Sequence, residues 1–589
     1  MLAPLPLVTL DLTGLRAADE KGRTVVWDTL QAASALQGIV NRKEPRLYLF
    51  AIGDGASLDR FWLKNLESRW LKGGKTSVKD LDEALKTFRS SIKGAVVWDP
   101  RIPATSNVAS TIAGVEDLIP LRYDPSPDSL YTRWTQSSEG PKLPILGKLM
   151  NGDGSPMFPW KGTDFRSTGS AKCDAYLWAA ENYLKKGKCD PGTLAYYPDA
   201  VWLKTPRDIP WQRTLLTNHD YFVAKRAFFF DLSPWDDTPA QDDPHQMPGE
   251  DGRTLRAVLR KAYDLNRGDF IHVGGFIPWD QKYTSHTGSP NEPVPTEWRY
   301  AEVLSNFNAY MDADAAGLHA MANASVFTHE PLKASYPQKM PTEADLRAKG
   351  YLDASGKVVP KAYAAIYGGD YDAASWLYTK LPEMWDEPER GSIPVGWAFN
   401  PALSRRFPTG LAWTRDTARA GDVFIAGDSG MGYLNPGYLT PPRPYSHLPS
   451  GLPAWEKLNL AEYKKWGLGV TGFVIDGYAP PMAPETLRAY ARFSPNGVVA
   501  QKLPERLQLI DGVPFLRMSG DLTENPTNGA KQLVSYLPPA GPASFSIART
   551  ILWGPKGIKE MADLAKVQRP DLEMVDPYTL FLLAKISLR

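Results

Sequence analysis

Four apolar runs after Gly268 end in aspartate. FIPWD closes at Asp280, AAIYGGDYD at Asp370 and Asp372, VFIAGD at Asp428 and GFVID at Asp476. Strand ends that deliver carboxylates to one rim would make a concentrated acidic pocket. Asp370 and Asp372 are two residues apart, so on a strand they would share a face. Like charges that close raise one pKa, which suits a general acid. Aromatic residues accompany the acids: Trp279 and Tyr283, Trp376, Tyr433 and Tyr438, and Tyr478. Cleavage of a glycoside needs one carboxyl to protonate the leaving oxygen and another to activate water or attack the anomeric carbon. The expected assignment is Asp370 or Asp372 as general acid, with Asp476 as its partner base or nucleophile. Trp279, Asp280, Lys282, Tyr283, Glu297, Trp298, Trp376, Trp397, Asp428, Gly430, Gly432 and Tyr433 form the candidate substrate-binding set. For any one aspartate, a helix N-cap or a turn is the simpler role. Only their co-occurrence lifts the catalytic reading.

Other chemistries find less support. Gly427 to Gly430 spell GDSG, the turn around a trypsin-like serine, but the surroundings read α/β rather than all-β. GxSxG fails at Met431. No Walker loop, no GxGxxG with a following acid and no CxxC or HExxH spacing occurs, so no cofactor and no metal are expected. His272 sits inside an apolar run and reads as a core residue. With His286 and nearby aspartates it is the minority metal-ligand reading.

The elements that would carry these acids follow from periodicity. Val26, Leu30, Ala33, Leu36 and Val40 mark one apolar helix face. Arg46 to Phe50, GAVVWD and LIPLRYD read as strands, with a helix starting near Asn107. A linker is expected at DPSPDSL. A Cys-flanked helix from Ala175 to Lys185 and an aromatic strand, DYFVAKRAFFFDL, follow. From Gly268 strand-like runs alternate with helix signals: DFIHVGGFIPWD, AYAAIYGGD, IPVGWAFNP, DVFIAGD, GVTGFVID, GVVAQKL and ASFSIARTI. Asn459 is read as the N-cap of a helix over 460–466 ended by Gly467, and Pro484 as a first-turn residue. The expected fold class is α/β: N-terminal α/β domains over 1–125 and 126–263, then a (β/α) barrel-like domain over 264–589.

Lys and Arg total 67 against 66 Asp and Glu, leaving a net charge of +1. That balance argues against a nucleic-acid or anionic-membrane footprint. No apolar run reaches the roughly 20 residues of a membrane helix. The N-terminal MLAPLPLVTLDLTGL lacks the basic start of a signal peptide. With 19 Trp and 26 Tyr, the chain has rings to spare for flat, partly apolar ligands, though core packing must use most of them. Cys173 and Cys189 fit either a disulfide or two buried thiols.

Gly430-Met431-Gly432-Tyr433-Leu434-Asn435-Pro436 resembles the motif that names the GxGYxYP family of putative glycoside hydrolases. Gly430, Gly432, Tyr433 and Pro436 match, and Asn435 stands where the name calls for tyrosine. The resemblance extends in family order from LQGIVNRKEPRLYLF and NVASTIAG through FFFDLSPW and the DDPHQ loop. It continues through GGFIPWDQKYT, PTEWRYAEVLSNFNAY, DADAAGLHAMANAS, GGDYDAASWLY and RGSIPVGWAFNP. It implies N-terminal α/β domains before a barrel-like domain, and a glycoside hydrolase assignment. Two glycines two apart permit a positive-φ turn or a close approach. The Pro-rich stretch after Pro436 either walls a cleft or packs against a neighbouring surface.

The leading expectation is a hydrolase acting on an oligo- or polysaccharide, secreted or periplasmic. A metal-dependent carbohydrate deacetylase or esterase would need Asp and His ligands converging on one ion. A non-catalytic glycan-binding protein would show an aromatic cleft without an acid pair, and a lyase would need a basic cluster.

Overall fold

A computed structural model describes residues 6–15, 19–51, 57–200, 203, 218–234, 243, 246–275, 296–311, 321–371, 373–523 and 525–589. The chain forms two compact units. One holds Met1–Val303, Ala313–Pro331 and Arg406–Thr409; the other holds Leu304–Asp312, Leu332–Arg405 and Gly410–Arg589.

The first unit stacks short parallel sheets. Strands β1 (Leu7–Asp11), β2 (Leu47–Phe50) and β3 (Lys75–Val78) pair in the order β2-β1-β3. β4 (Gly94–Trp98), β5 (Leu118–Arg122) and β6 (Ile145–Lys148) pair as β5-β4-β6, and β7 (Thr193–Tyr196) lies between β8 (Phe228–Phe230) and β9 (Ile271–Gly274). The helix expected from the Val26–Val40 periodicity runs from Glu20 to Val40, with Asp19 as its N-cap accepting from the Gly22 N–H. The stretch read as one aromatic strand divides instead. His219–Ala224 is a helix and only Phe228–Phe230 is a strand. A positive φ at Arg226 makes the turn between them, which a run of aromatic residues conceals. Cys173 lies within the helix Ala171–Ala179 rather than before it, and both cysteines are free and buried.

The second unit contains β10 (Ala309–Met311) and a large sheet. Its strands are β11 (Ala362–Gly369), β12 (Val395–Phe399), β13 (Asp422–Ala426), β14 (Val470–Val474), β15 (Gly497–Ala500), β16 (Leu507–Ile510), β17 (Val513–Arg517), β18 (Gly520–Leu522), β19 (Ser544–Ile551) and β20 (Leu572–Met574). The order is β16-β17-β15-β14-β13-β12-β11-β19-β18, with β20 also on β11. Every pair is parallel except β16–β17. The chain steps from one edge to the other between β17 and β18. Met518 N–H donates to the Ala500 carbonyl at 3.1 Å, and Ser519 N–H to Ile547 at 2.9 Å.

Buried strands on both faces read as continuous apolar runs, as AYAAIYGG and VGWAF do. The helix Pro577–Ser587 packs where glycine makes room: an added Cβ at Gly396 would meet Pro577 at 2.5 Å, and one at Gly497 the Phe581 ring at 2.3 Å. One helix start differs from expectation. Helix Leu452–Trp466 begins well before Asn459, which is buried in its middle; Gly467 does end it, at φ 63°.

Candidate functional site

Because the strands run parallel, their C-terminal ends share one edge. Asp370 follows β11, Asn400 follows β12, Asp428 stands two residues past β13, Asp476 two past β14, and Gln501 follows β15. Arg549, near the end of β19, reaches the same edge. Its Nε and Nη2 donate to the two Asp521 oxygens at 2.9 and 3.0 Å, and its Nη1 stands 3.9 Å from Asp370 Oδ1. The Arg549 guanidinium also covers the Phe473 ring at 5.5 Å.

Asp476 is a strongly perturbed acid of this edge. Its carboxyl is fully buried. Oδ2 accepts the Lys502 N–H at 3.2 Å, while Oδ1 has no hydrogen-bond partner among the described residues. Burial pushes the carboxyl up to about 7, against the opposing pull of the Lys502 N–H and the Lys502 charge. The strand end is pinned by Asp476 N–H donating to Gln501 Oε1 at 3.0 Å. Lys502 is itself held, its Nζ donating to the Ala479 carbonyl at 2.6 Å. Tyr478, two residues on, is 61% exposed.

Asp428 is buried, at φ 48°, and accepts from Asn400 Nδ2 at 3.2 Å. Asp370 is partly open, its side chain 32% exposed, and φ is 68°. The same-face argument for Asp370 and Asp372 fails at this point. β11 ends at Gly369, and Asp370 turns the chain in a left-handed conformation, so strand alternation no longer applies. Asp372 lies outside the described residues, as do Trp279, Asp280, Lys282 and Tyr283. Glu297 and Trp298 fall on the helix Thr296–Ser305, with side chains outside the described residues.

The motif loop packs rather than gapes. At Gly432, φ 134°, an added Cβ would stand 2.2 Å from the Tyr310 ring; at Gly430, φ 114°, it would meet Asn459 Oδ1 at 2.5 Å. That amide explains the misplaced cap: Asn459 Oδ1 accepts the Met431 N–H at 2.8 Å. Tyr433 is buried and pairs through its backbone with Met311 in both directions, at 2.7 and 3.1 Å. The Pro-rich continuation packs likewise, with buried Arg443 donating to the Ser305 carbonyl at 2.8 Å and to Asn308 Oδ1 at 2.7 Å.

Of the other expected rings, Trp376 is half-buried on the helix Ala374–Thr379, close in sequence to Asp370. Trp397 does not reach the surface. It is fully buried against Tyr371 and Trp385, and its Nε1 donates to Asp422 Oδ1 at 2.8 Å. Sequence reasoning missed Arg549, Asp521, Asn400 and Lys502. The available signal for Arg549 was an arginine inside an otherwise apolar strand, SFSIARTI.

Fold and strand-end chemistry together define a mixed α/β protein with parallel sheets and acids at one edge of the largest. Residues 360–525 match the GxGYxYP putative glycoside hydrolase C-terminal domain, and residues 29–90 match the GxGYxYP_N 1st domain. Two GxGYxYP domains, one N-terminal and one C-terminal, are thus found in the chain. Comparison with curated proteins yields no match. Among solved structures, the fold is similar to that of a putative hydrolase from Bacteroides thetaiotaomicron VPI-5482, with TM-score 0.68 and 16% identity over 99% of this chain and 95% of that one.

Proposed function

We propose that the protein is a glycoside hydrolase whose second unit is barrel-like and whose strand-end carboxylates cleave an oligo- or polysaccharide. The single observation that carries this reading is Asp476: a buried carboxyl pushed up to about 7, with one oxygen unpartnered among the described residues, at the end of a parallel strand. A group with that pKa holds its proton at neutral pH and can still release it, as a general acid must. The backbone step from β15 to β19 supports the barrel-like arrangement, and the family's name supports the substrate class.

Burial reverses the division of labour expected from spacing. Asp476 is the proton donor to the glycosidic oxygen. Asp370, half-buried and flanked by the Arg549 cation, is the partner that works as an anion, drawing a proton from water as it attacks the anomeric carbon. β12 and β13 lie between their strands, so three spacings of about 4.8 Å separate the two along the sheet. That is roughly 14 Å along the sheet, beyond the roughly 6.5–9.5 Å of an inverting pair and the roughly 5 Å of a retaining one. The two carboxyls act on one bond only where the curl of the sheet and the reach of their side chains bring them closer, and the strand spacing alone selects neither outcome. The structure closes Asp476 off from solvent, so substrate reaches it only after the rim shifts. Exposed Tyr478 and half-buried Trp376 offer ring faces there.

The test is a glycan panel read for reducing ends, with the anomer first released identified by NMR. Asp476→Asn and Asp370→Asn should each lower turnover by about 10²–10⁴-fold with the fold intact. Parent-like rates in both variants would overturn the assignment, and release of acetate instead of reducing sugar would favour a carbohydrate esterase.

A further inference from the structure

The first unit holds a cavity of about 500 Å³, within the range of small-molecule sites. Four cations contribute to its wall: Arg42, Lys188, Lys225 and Arg226. Asp190, the carboxylate in the same wall, is already engaged. Its Oδ1 accepts the Gly192 N–H at 2.9 Å and its Oδ2 the Thr193 hydroxyl at 2.8 Å. Two of the cations are neutralised. Arg42 pairs with Asp117 and also donates to the Gly114 carbonyl, and Lys188 donates to Glu116 at 2.8 Å. Lys225 and Arg226 are exposed and have no carboxylate within ion-pair distance among the described residues.

The Arg226 backbone is fixed. At φ 57° its N–H donates to the Val223 carbonyl and its own carbonyl accepts the Asp190 N–H, both at 3.1 Å. Burial pulls the Arg42 guanidinium below its ordinary value, and the Arg226 charge adds a smaller push in the same direction. A concavity with surplus cations on a fixed backbone attracts oxyanions, and an arginine fork matches carboxylate and phosphate geometry.

We propose that this cavity binds a sugar-sized anion whose carboxylate or phosphoryl group lies between Arg226 and Lys225. The proposal stands independently of the strand-end carboxylates.

Calorimetric titration of the full chain with glucuronate, glucose 6-phosphate, inorganic phosphate and neutral glucose tests it. A charged sugar should bind and glucose should not, and the two charged sugars distinguish a carboxylate from a phosphoryl ligand. The double variant Arg226→Gln with Lys225→Gln should weaken that binding by about tenfold or more at an unchanged melting temperature. Asp476→Asn should leave it intact. The proposal is overturned if neither charged sugar binds below roughly 10 mM, if binding survives the double substitution, or if inorganic phosphate alone binds as tightly as glucose 6-phosphate.

Discussion

The side-chain amide of Asn435 donates to the backbone carbonyl of Ile475 at 3.2 Å, one residue before Asp476. The Ile475 N–H faces the Ser429 hydroxyl at 3.4 Å, and that hydroxyl donates to the Leu434 carbonyl at 2.6 Å. The loop that carries the family motif therefore holds the strand end from which the buried acid projects. Asn435, the position that departs from the motif, makes the contact.

Asn435→Ala removes that amide. A lost buried hydrogen bond costs about 1 kcal/mol. The alanine also removes Asn435 Oδ1, which is buried without a partner among the described residues, and this offsets part of the loss. Denaturant unfolding should show a destabilisation of about 0.5–1.5 kcal/mol. The pH–rate profile should move as well, because the Asp476 backbone loses its brace. A profile identical to the parent would separate the motif from the acid.

Asp476 sets a pH dependence whose sign is fixed. Its folded value, about 7, lies above the ordinary 3.8, so the native state binds the extra proton between those limits. The stability this confers is full below about pH 4 and is lost as pH rises through about 7. Asp476→Asn, which cannot ionise, should be more stable than the parent at pH 8 by up to roughly 4 kcal/mol, and by little near pH 4. Urea midpoints at the two pH values check it, and a constant difference between parent and variant would sink the buried-acid assignment.

Strand positions from Gly268 onward were legible because fully buried parallel strands are short apolar runs bounded by turn residues: one such run became β9 in the first unit, and six became β11, β12, β13, β14, β15 and β19 in the second. Asp370, Asp428 and Asp476 were legible as strand-end residues for the same reason. The side-chain environment was not. Nothing local distinguishes Asp476, buried against Lys502, from Asp370, open beside Arg549, since both partners come from other strands. Asn459 misled because asparagine before an apolar stretch is the mark of a helix cap, whereas here its amide serves a loop 28 residues away in sequence. Trp397 misled because a tryptophan near strand-end acids looks the same whether it faces solvent or core.

Gly432→Ala should test whether the motif glycine is a packing device. The added Cβ would stand 2.2 Å from the Tyr310 ring, at a φ of 134° that alanine disfavours. Overpacking costs about 1–3 kcal/mol and the backbone strain roughly 1–2 more. A fall of about 3 kcal/mol in unfolding free energy is expected. A neutral effect on stability would mean that the loop relaxes freely and does not fix the strand end.

Trp376 and Trp397 should separate cleanly. Trp397→Phe keeps most of the ring but deletes the donor to Asp422, which is buried and also faces Arg390 Nε at 3.4 Å. Leaving that carboxylate short of a partner should cost about 1–3 kcal/mol of stability, with turnover per folded molecule unchanged. Trp376→Ala acts in the opposite sense. The ring is half-buried on the six-residue helix Ala374–Thr379 that follows the Asp370 turn, so its truncation removes less packing. If it stacks on a sugar, KM should rise by about three- to tenfold, as expected for roughly 1 kcal/mol of ring stacking. Steady-state kinetics on a cleaved glycan, paired with thermal melts of both variants, decide the matter. An unchanged KM in Trp376→Ala together with a lowered melting temperature would return that ring to the core and leave Tyr478 as the exposed platform beside the acid.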